Sequence, residues 1–484
     1  MKKRLLAPKP ASVSFAIALW SMFNPAHVAH AADPIELDPI QITATRKPER
    51  SFDVSQPVTT VNQAQIQERN PQVMTEALRG EAGVFFQQTG AGQGIAIVRG
   101  LKGSEVLHLV DGFRLNNAFF RTAPSQYIAL LDPYNIQKIE VLRGPYATLY
   151  GPDAMGGVVS VQTEETRFKG QALQSRSHAF LHAGSHDQSR NARVTQAVGN
   201  QTVSVQAGYT YQDYGSREVG GVGQVADGRG NITLDERIGP TAYTARAYDA
   251  KVLWAISPVD ELSVAYQHYG VPSLPRYNEL VPGSKPITPA GSAVENPARA
   301  VSIYDNSRDF YHLRYRHTAP LAFIDTLEVH LGRQVIDDDR YDLRRNLTRQ
   351  EFEQNRSTLD GLTVNALSTA GAHRLTYGIE LYQDRIDSSK QRQDGAGARI
   401  NTGAATAFKS RFPNGAQTDN YGAYLNDTWL ITERLRVDMG GRYNVVNTRL
   451  PAAPTSDRAN GGDIDNHDYT GQIGLRYAVL PSLA

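Results

Sequence analysis

The pair His182-x-x-x-His186 has the spacing at which a helix presents two imidazoles to one metal ion. Its neighbours alternate as a strand does, which sets the rings roughly 13 Å apart and removes a shared site. Acidic runs at Asp337-Asp338-Asp339 and Asp463-x-Asp465-Asn466 offer the oxygen donors that calcium prefers. Both are expected in polar outer loops, where solvated acids need no ion. Gly90-Ala91-Gly92-Gln93-Gly94 hints at a phosphate cradle, yet a strand follows where a helix is required. There is no nucleophile elbow, Walker loop or zincin pair, and cysteine is absent, which excludes thiol chemistry. The expectation is a protein that is not an enzyme, with no cofactor and no resident metal. What remains is recognition chemistry: Phe119, Phe120, Arg121 and Tyr127 place an aromatic pair beside a cation, suited to stacking and cation–π contact with a flat ligand.

Lys2, Lys3, Arg4 and Lys9, an apolar run from Ala11 to Phe23 and a small-residue site at Ala29-His30-Ala31 open the chain. That order predicts a secretory signal peptide over residues 1–31, cut after Ala31. The run is too short to span the ~30 Å of hydrocarbon in a bilayer. A formal net charge of +1 argues against nucleic acid as a partner. The mean hydropathy of -0.42 would disqualify a helical membrane protein. A transmembrane barrel alternates lipid-facing and lumen-facing residues, so its average stays low and the barrel remains open.

Residues 32–53 form a Pro-punctuated segment containing Asp38, Pro39, Ile40, Gln41, Ile42, Thr43 and Ala44. Pro39 removes a ladder donor, leaving a short extended peptide able to add to the edge of another protein's sheet. Residues 54–166 read as a small α+β domain. Val58 to Val61 is a strand, Asn62 caps a helical stretch, Asn70-Pro71 starts a second one and Gly80 stops it. Ile95 to Arg99 and Val106 to Val110 are further strands, which puts His108 inside a strand, and Asp132-Pro133 opens a brief helix. From 167 to 484 the pattern changes to alternating segments of about ten residues, such as Val203-x-Val205-x-Ala207-x-Tyr209 and Leu327-x-Val329-x-Leu331. Tyr209, Tyr211, Tyr266, Tyr269, Tyr315 and Tyr443 gather near strand ends, where an interfacial girdle would sit. Tight turns such as Gly199-Asn200-Gln201 and Thr432-Glu433 alternate with long polar loops such as 215–243, 270–306, 387–417 and 450–467. Short turns at one rim and long loops at the other are a barrel pattern.

Ile139 to Val161 reads IEVLRGPYATLYGPDAMGGVVSV, compressing strand, turn, helical turn and strand around glycines. With Val98-Arg99-Gly100 and Val110-Asp111-Gly112 in order before it, this segment resembles the plug of TonB-dependent receptors, outer-membrane barrels that import scarce iron complexes and vitamins. The 38–44 segment resembles their TonB box. The implied fold is mainly β: a small α+β plug followed by a transmembrane antiparallel β-barrel. About twelve alternating segments are present against about 22 strands in such transporters. The segment after the last strand, Leu480 to Ala484, is a turn, so the chain is expected to be an N-terminal part with a partial barrel.

The resemblance implies uptake of an iron complex, siderophore or haem, with TonB, outer-membrane lipid and the iron complex as partners. The cell outer membrane of a Gram-negative organism is the implied location. It assigns Arg99, Glu140 and Arg143 to contacts between plug and barrel, with plug-internal ion pairs as the alternative. Pro272 to Leu280, including Arg276 and Tyr277, resembles a segment of haem receptors, and His186 is a lone candidate for haem iron. Ligand contact is therefore expected from Phe119, Phe120, Arg121, Tyr127, Arg276 and Tyr277. Cobalamin or another scarce nutrient, a passive or signalling surface receptor, and a non-functional fragment stand as alternatives.

Overall fold

The computed structural model describes residues 40–41, 46, 49–50, 57–88, 90–120, 127–226, 232–280, 299–344, 349–394, 410–452 and 461–479. The expected signal peptide, Asp38, Pro39, Ile42, Thr43, Ala44 and Arg121 lie outside them. Local rules account for the first elements of the plug. Asn62 closes the strand Val58–Asn62 and caps the helix Gln63–Arg69, its side chain accepting from the Gln65 amide at 2.9 Å while the Gln65 side chain accepts from the Asn62 amide at 2.9 Å. Asn70, expected to open a second helix, instead closes the first in a left-handed conformation with φ 43°. Asparagine tolerates that region and Pro71 cannot continue a helix, so the pair works as a stop. A 3-10 turn, Met74–Leu78, follows.

The plug is built on a five-stranded sheet in the order Val58–Asn62, Ile136–Arg143, Gly157–Thr163, Val106–Val110 and Phe113–Arg114. The pairing of Val106–Val110 with Gly157–Thr163 is parallel and the others are antiparallel. Asp132 caps Pro133–Asn135 through the Tyr134 amide at 3.0 Å and so starts the long strand squarely. The glycine demand read in the 139–161 segment is met where it matters. Gly157 has φ 157° and a Cβ there would fall 2.2 Å from the Leu142 carbonyl oxygen.

A second sheet follows, with twelve antiparallel strands paired in chain order from Gln174–Ala183 to Gly462–Tyr477. Among the described residues it is open, with those two strands at its edges. Its alternation is inverted relative to a water-soluble sheet. Along Val203–Tyr214, Ser204, Gln206, Thr210 and Gln212 are buried against the plug while Val205 and Tyr209 are exposed. No helix among the described residues is long and apolar enough to cross a membrane, which leaves strands unaddressed.

Three placements correct the sequence reading. Strands such as Asp260–Pro275, Arg299–His317, His373–Asp394 and Gly462–Tyr477 run on into stretches expected to be loop. Past the apolar band the outward face is polar, so alternation of hydrophobicity disappears while the ladder continues. Asp337 to Asp339 accordingly lie in the strand Thr326–Arg344, and Asp463 and Asp465 in Gly462–Tyr477. Asp338 faces inward at 0% exposure between two outward neighbours, so the three carboxylates do not converge. No cluster fit to hold a metal occurs among the described residues. Tyr269, expected in the girdle, is 3% exposed and donates to Gln212 at 3.0 Å on the inner face.

Candidate functional site

The plug and the twelve-stranded sheet that forms its wall meet in part through polar side chains that strand alternation aims inward. Arg193 is 1% exposed, and its guanidinium reaches Asp132 at 3.1 Å and Glu164 at 3.3 Å on the plug and Asp249 at 2.8 Å on the wall. Wall Lys251 lies 3.6 Å from Asp111 and donates to Thr163 Oγ1 at 2.9 Å, while Gln267 donates to Asp111 at 3.1 Å. Burial would raise the Asp111 carboxyl, but the Lys251 ammonium and two bonds from Thr163 more than offset it and hold it well below the carboxylate range. Wall Glu380 receives Arg442 at 2.6 Å and also pairs with Arg46. Arg46 additionally donates to the plug carbonyl of Leu149 at 2.7 Å and lies 4.5 Å over the rings of Tyr150 and Tyr424. It stands two positions after the 38–44 segment, of which Ile40–Gln41 pairs with Glu49–Arg50.

Of the residues expected to make these contacts, Glu140 is fully buried and pairs with Lys138, and Arg143 donates to the Ala82 carbonyl at 2.8 Å. Arg99 is exposed, with φ 53°. The Lys138 and Ala82 contacts both lie within the plug. Arg193, Lys251, Glu380 and Arg442 went unread in the sequence. The signal was available: each is a charge in phase with the polar half of an alternating strand. Its partner was not.

The recognition residues divide. Phe119 and Phe120 are 1% and 7% exposed, and Phe119 stacks on Phe412 at 4.4 Å. Tyr127 is 2% exposed and donates to Asp338 at 2.6 Å. In this conformation these rings are packing residues between plug and wall, closed to a ligand. Burial and the Asp338 carboxylate push the Tyr127 phenol well up, so it stays a donor. Arg276 is half-buried in the outer region, 4.9 Å over the Tyr304 ring, which Arg340 covers at 4.4 Å. Tyr277 opens the short helix Tyr277–Leu280 beside it. His182 bonds Asn70 at 2.8 Å and His186 lies 3.6 Å from Asp187, so the two histidines serve separate contacts. His108, in the plug sheet, bonds Asn116 and is pushed down to about 4 by burial.

Residues 50–158 match the TonB-dependent receptor plug domain, and residues 247–484 match the TonB-dependent receptor-like β-barrel. The chain belongs to the TonB-dependent receptor family. This receptor chain is 32% identical over 200 residues to the vitamin B12 transporter BtuB of Vibrio vulnificus (strain YJ016), covering 41% of the chain and 31% of the relative. It is 26% identical over 378 residues to a hemin receptor of Yersinia enterocolitica, covering 75% of the chain and 48% of the relative. The solved structure of the copper transporter OprC superposes with a TM-score of 0.68 at 17% identity, over 88% of this chain and 61% of that one. The chain thus spans less than two thirds of the length of each. Fold and family are those of receptors and transporters, not enzymes.

Proposed function

We propose that the chain is the plug and wall portion of an energy-coupled importer in a Gram-negative outer membrane, taking up an iron complex such as a siderophore or haem. The observation that carries this reading is the seam. The plug is held to the wall by ion pairs and hydrogen bonds, which water can replace when the plug moves, beside an apolar patch where Phe113 packs on Phe310 and Tyr382. Arg46 ties the 38–44 segment to both bodies, so a pull on that segment reaches Glu380 and the Leu149 carbonyl together. TonB is the partner we assign to residues 38–44, by strand addition after ligand binding outside. Secretion through a signal peptide cut after Ala31 completes the route. Ligand contact is assigned to the outer residues Arg276 and Tyr277, with Arg340 and Tyr304 beside them. Phe119, Phe120 and Tyr127 join only if the plug rearranges, and Arg121 adjoins them in the chain.

Deleting Pro39 to Thr43 in the complete receptor should abolish uptake of ferric siderophore or haemin and leave surface binding intact; unchanged uptake would refute the coupling. The similarity to a vitamin B12 transporter supports cobalamin as the second reading. Competition of labelled cobalamin against haemin and ferric siderophores for the same receptor separates the two.

A further inference from the structure

A polar cavity of about 1100 Å³ lies between the plug sheet and the wall. The plug lines it with Asp111, Ser160 and Gln162, the wall with Arg316, Glu328 and His330. Ser257, Pro258 and Val259 of a short turn also border it, so it sits at the short-turn rim, the periplasmic side of such a wall. Its volume matches or exceeds the ~300–1,000 Å³ of ordinary small-molecule sites.

The inward residues of one wall strand, Thr326–Arg344, show what lies above. Glu328 and His330 line the cavity. At the next inward position a Cβ on Gly332 would fall 2.6 Å from the Phe113 ring, and one on Gly361 of the neighbouring strand 2.8 Å from it. Two wall glycines thus form a notch that Phe113 fills, at 1% exposure, with Phe310 and Tyr382 at 5.4 and 5.5 Å. The turn that carries it is held by Asp111 at φ 49° and Gly112 at φ 84°. Higher still, Gln334 donates to the Leu115 carbonyl at 2.9 Å and Asp338 accepts from Tyr127 at 2.6 Å. The seam closed above the cavity therefore runs over six residue steps of strand, from Gly332 to Asp338, roughly 20 Å.

We propose that this cavity is a preformed, water-filled vestibule, the inner half of the passage for a polar solute, and that Phe113 in its glycine notch is the knob that closes it. The passage role rests on the import reading. Transport then needs only the 332–338 seam to part, because the space below it is already open.

The chain has no cysteine, so single thiols report access cleanly. In the complete receptor, Gln162→Cys should react with a small charged thiol reagent in outer-membrane fragments without ligand or TonB, and stay unreacted in intact cells. Gln334→Cys, one rung above the knob, should react at least about tenfold more slowly, since thiol reactivity follows exposure. Adding Phe113→Ala should bring Gln334→Cys up to the rate of Gln162→Cys, Phe113→Leu part-way, and Phe119→Ala not at all. Heat-modifiable gel mobility confirms that each variant is folded. Equal slow labelling at 162 and 334, no effect of Phe113→Ala, or equal opening by Phe119→Ala would each overturn the proposal. A bulky maleimide on Gln162→Cys should block uptake while binding persists; continued uptake would overturn the passage role. Failure of the unsubstituted receptor to import would strike the import reading, and the labelling would still decide the vestibule and its knob.

Discussion

Strand Gly157–Thr163 of the plug and strand Val203–Tyr214 of the wall share one period and obey opposite rules. In the first, Val158, Val159 and Val161 are each 0% exposed inside the plug. In the second, Ser204, Gln206, Thr210 and Gln212 are buried, while Val205 is 48% and Tyr209 49% exposed. The plug is stabilised by removing apolar surface from water. The wall turns its apolar face outward, which is stable only against hydrocarbon, and its polar face toward the plug. Where the two meet, polar pairs such as Arg193 with Asp132 lie beside apolar contacts such as Phe113 with Phe310 and Tyr382, so parting them exchanges protein bonds for water and also uncovers apolar surface.

The sharpest way to break that comparison is at its most connected polar point. Arg193→Met should leave Asp132, Asp249 and Glu164 buried without their shared cation, a loss of about 3–5 kcal/mol. Limited proteolysis of membrane-embedded receptor should show the plug cut many times faster, and an unchanged cutting rate would mean the seam is not held by charge. Inside the plug the expected signature is a pH dependence instead. Burial pushes His108 from its ordinary 6.5 down to about 4, with the Asn116 bond opposing. A depressed pKa means the unfolded chain binds the proton first, so plug stability should decline as pH falls from about 6.5 to about 4, by about 3 kcal/mol. Hydrogen exchange of strand Val106–Val110 in the parent and in His108→Gln reads this. A difference between the two that is constant across that window would refute it. The smallest effect is expected on the outward face, where Arg356 forms an exposed two-bond pair with Asp337 at 2.7 and 3.1 Å. Arg356→Ala should cost less than about 1 kcal/mol, with unchanged heat-modifiable mobility. A larger cost would place binding energy outside the seam.

Much of this molecule was legible because its determinants are local. The Asn62 cap, the glycine-bound turn between the strands Ile136–Arg143 and Gly157–Thr163, and the period-two wall segments each depend on residues within a few positions. About twelve wall strands were expected, and among the described residues the second sheet has twelve. Strand ends beyond the apolar band were not legible, because pleating continues after hydrophobic contrast stops. Asn70 was read as a beginning when its side chain suits an ending equally well. Tyr269 was assigned to the girdle by residue type, whereas its phase on the strand turns it inward.

The limit is clearest at the candidate site. The sequence by itself determined which positions alternate and where charges stand on the inward phase, and so that a plug and a wall of opposite polarity would form. Which charge meets which was decided only by the tertiary structure. Tyr127 finds Asp338 across 211 residues, and Arg46 finds Glu380 across 334. No local rule specifies such pairs, because they depend on the register of the whole wall around the plug. The same is true of Phe119 and Phe120. Their type suits a ligand, and only the packed seam shows that in this conformation they serve the closure between plug and wall.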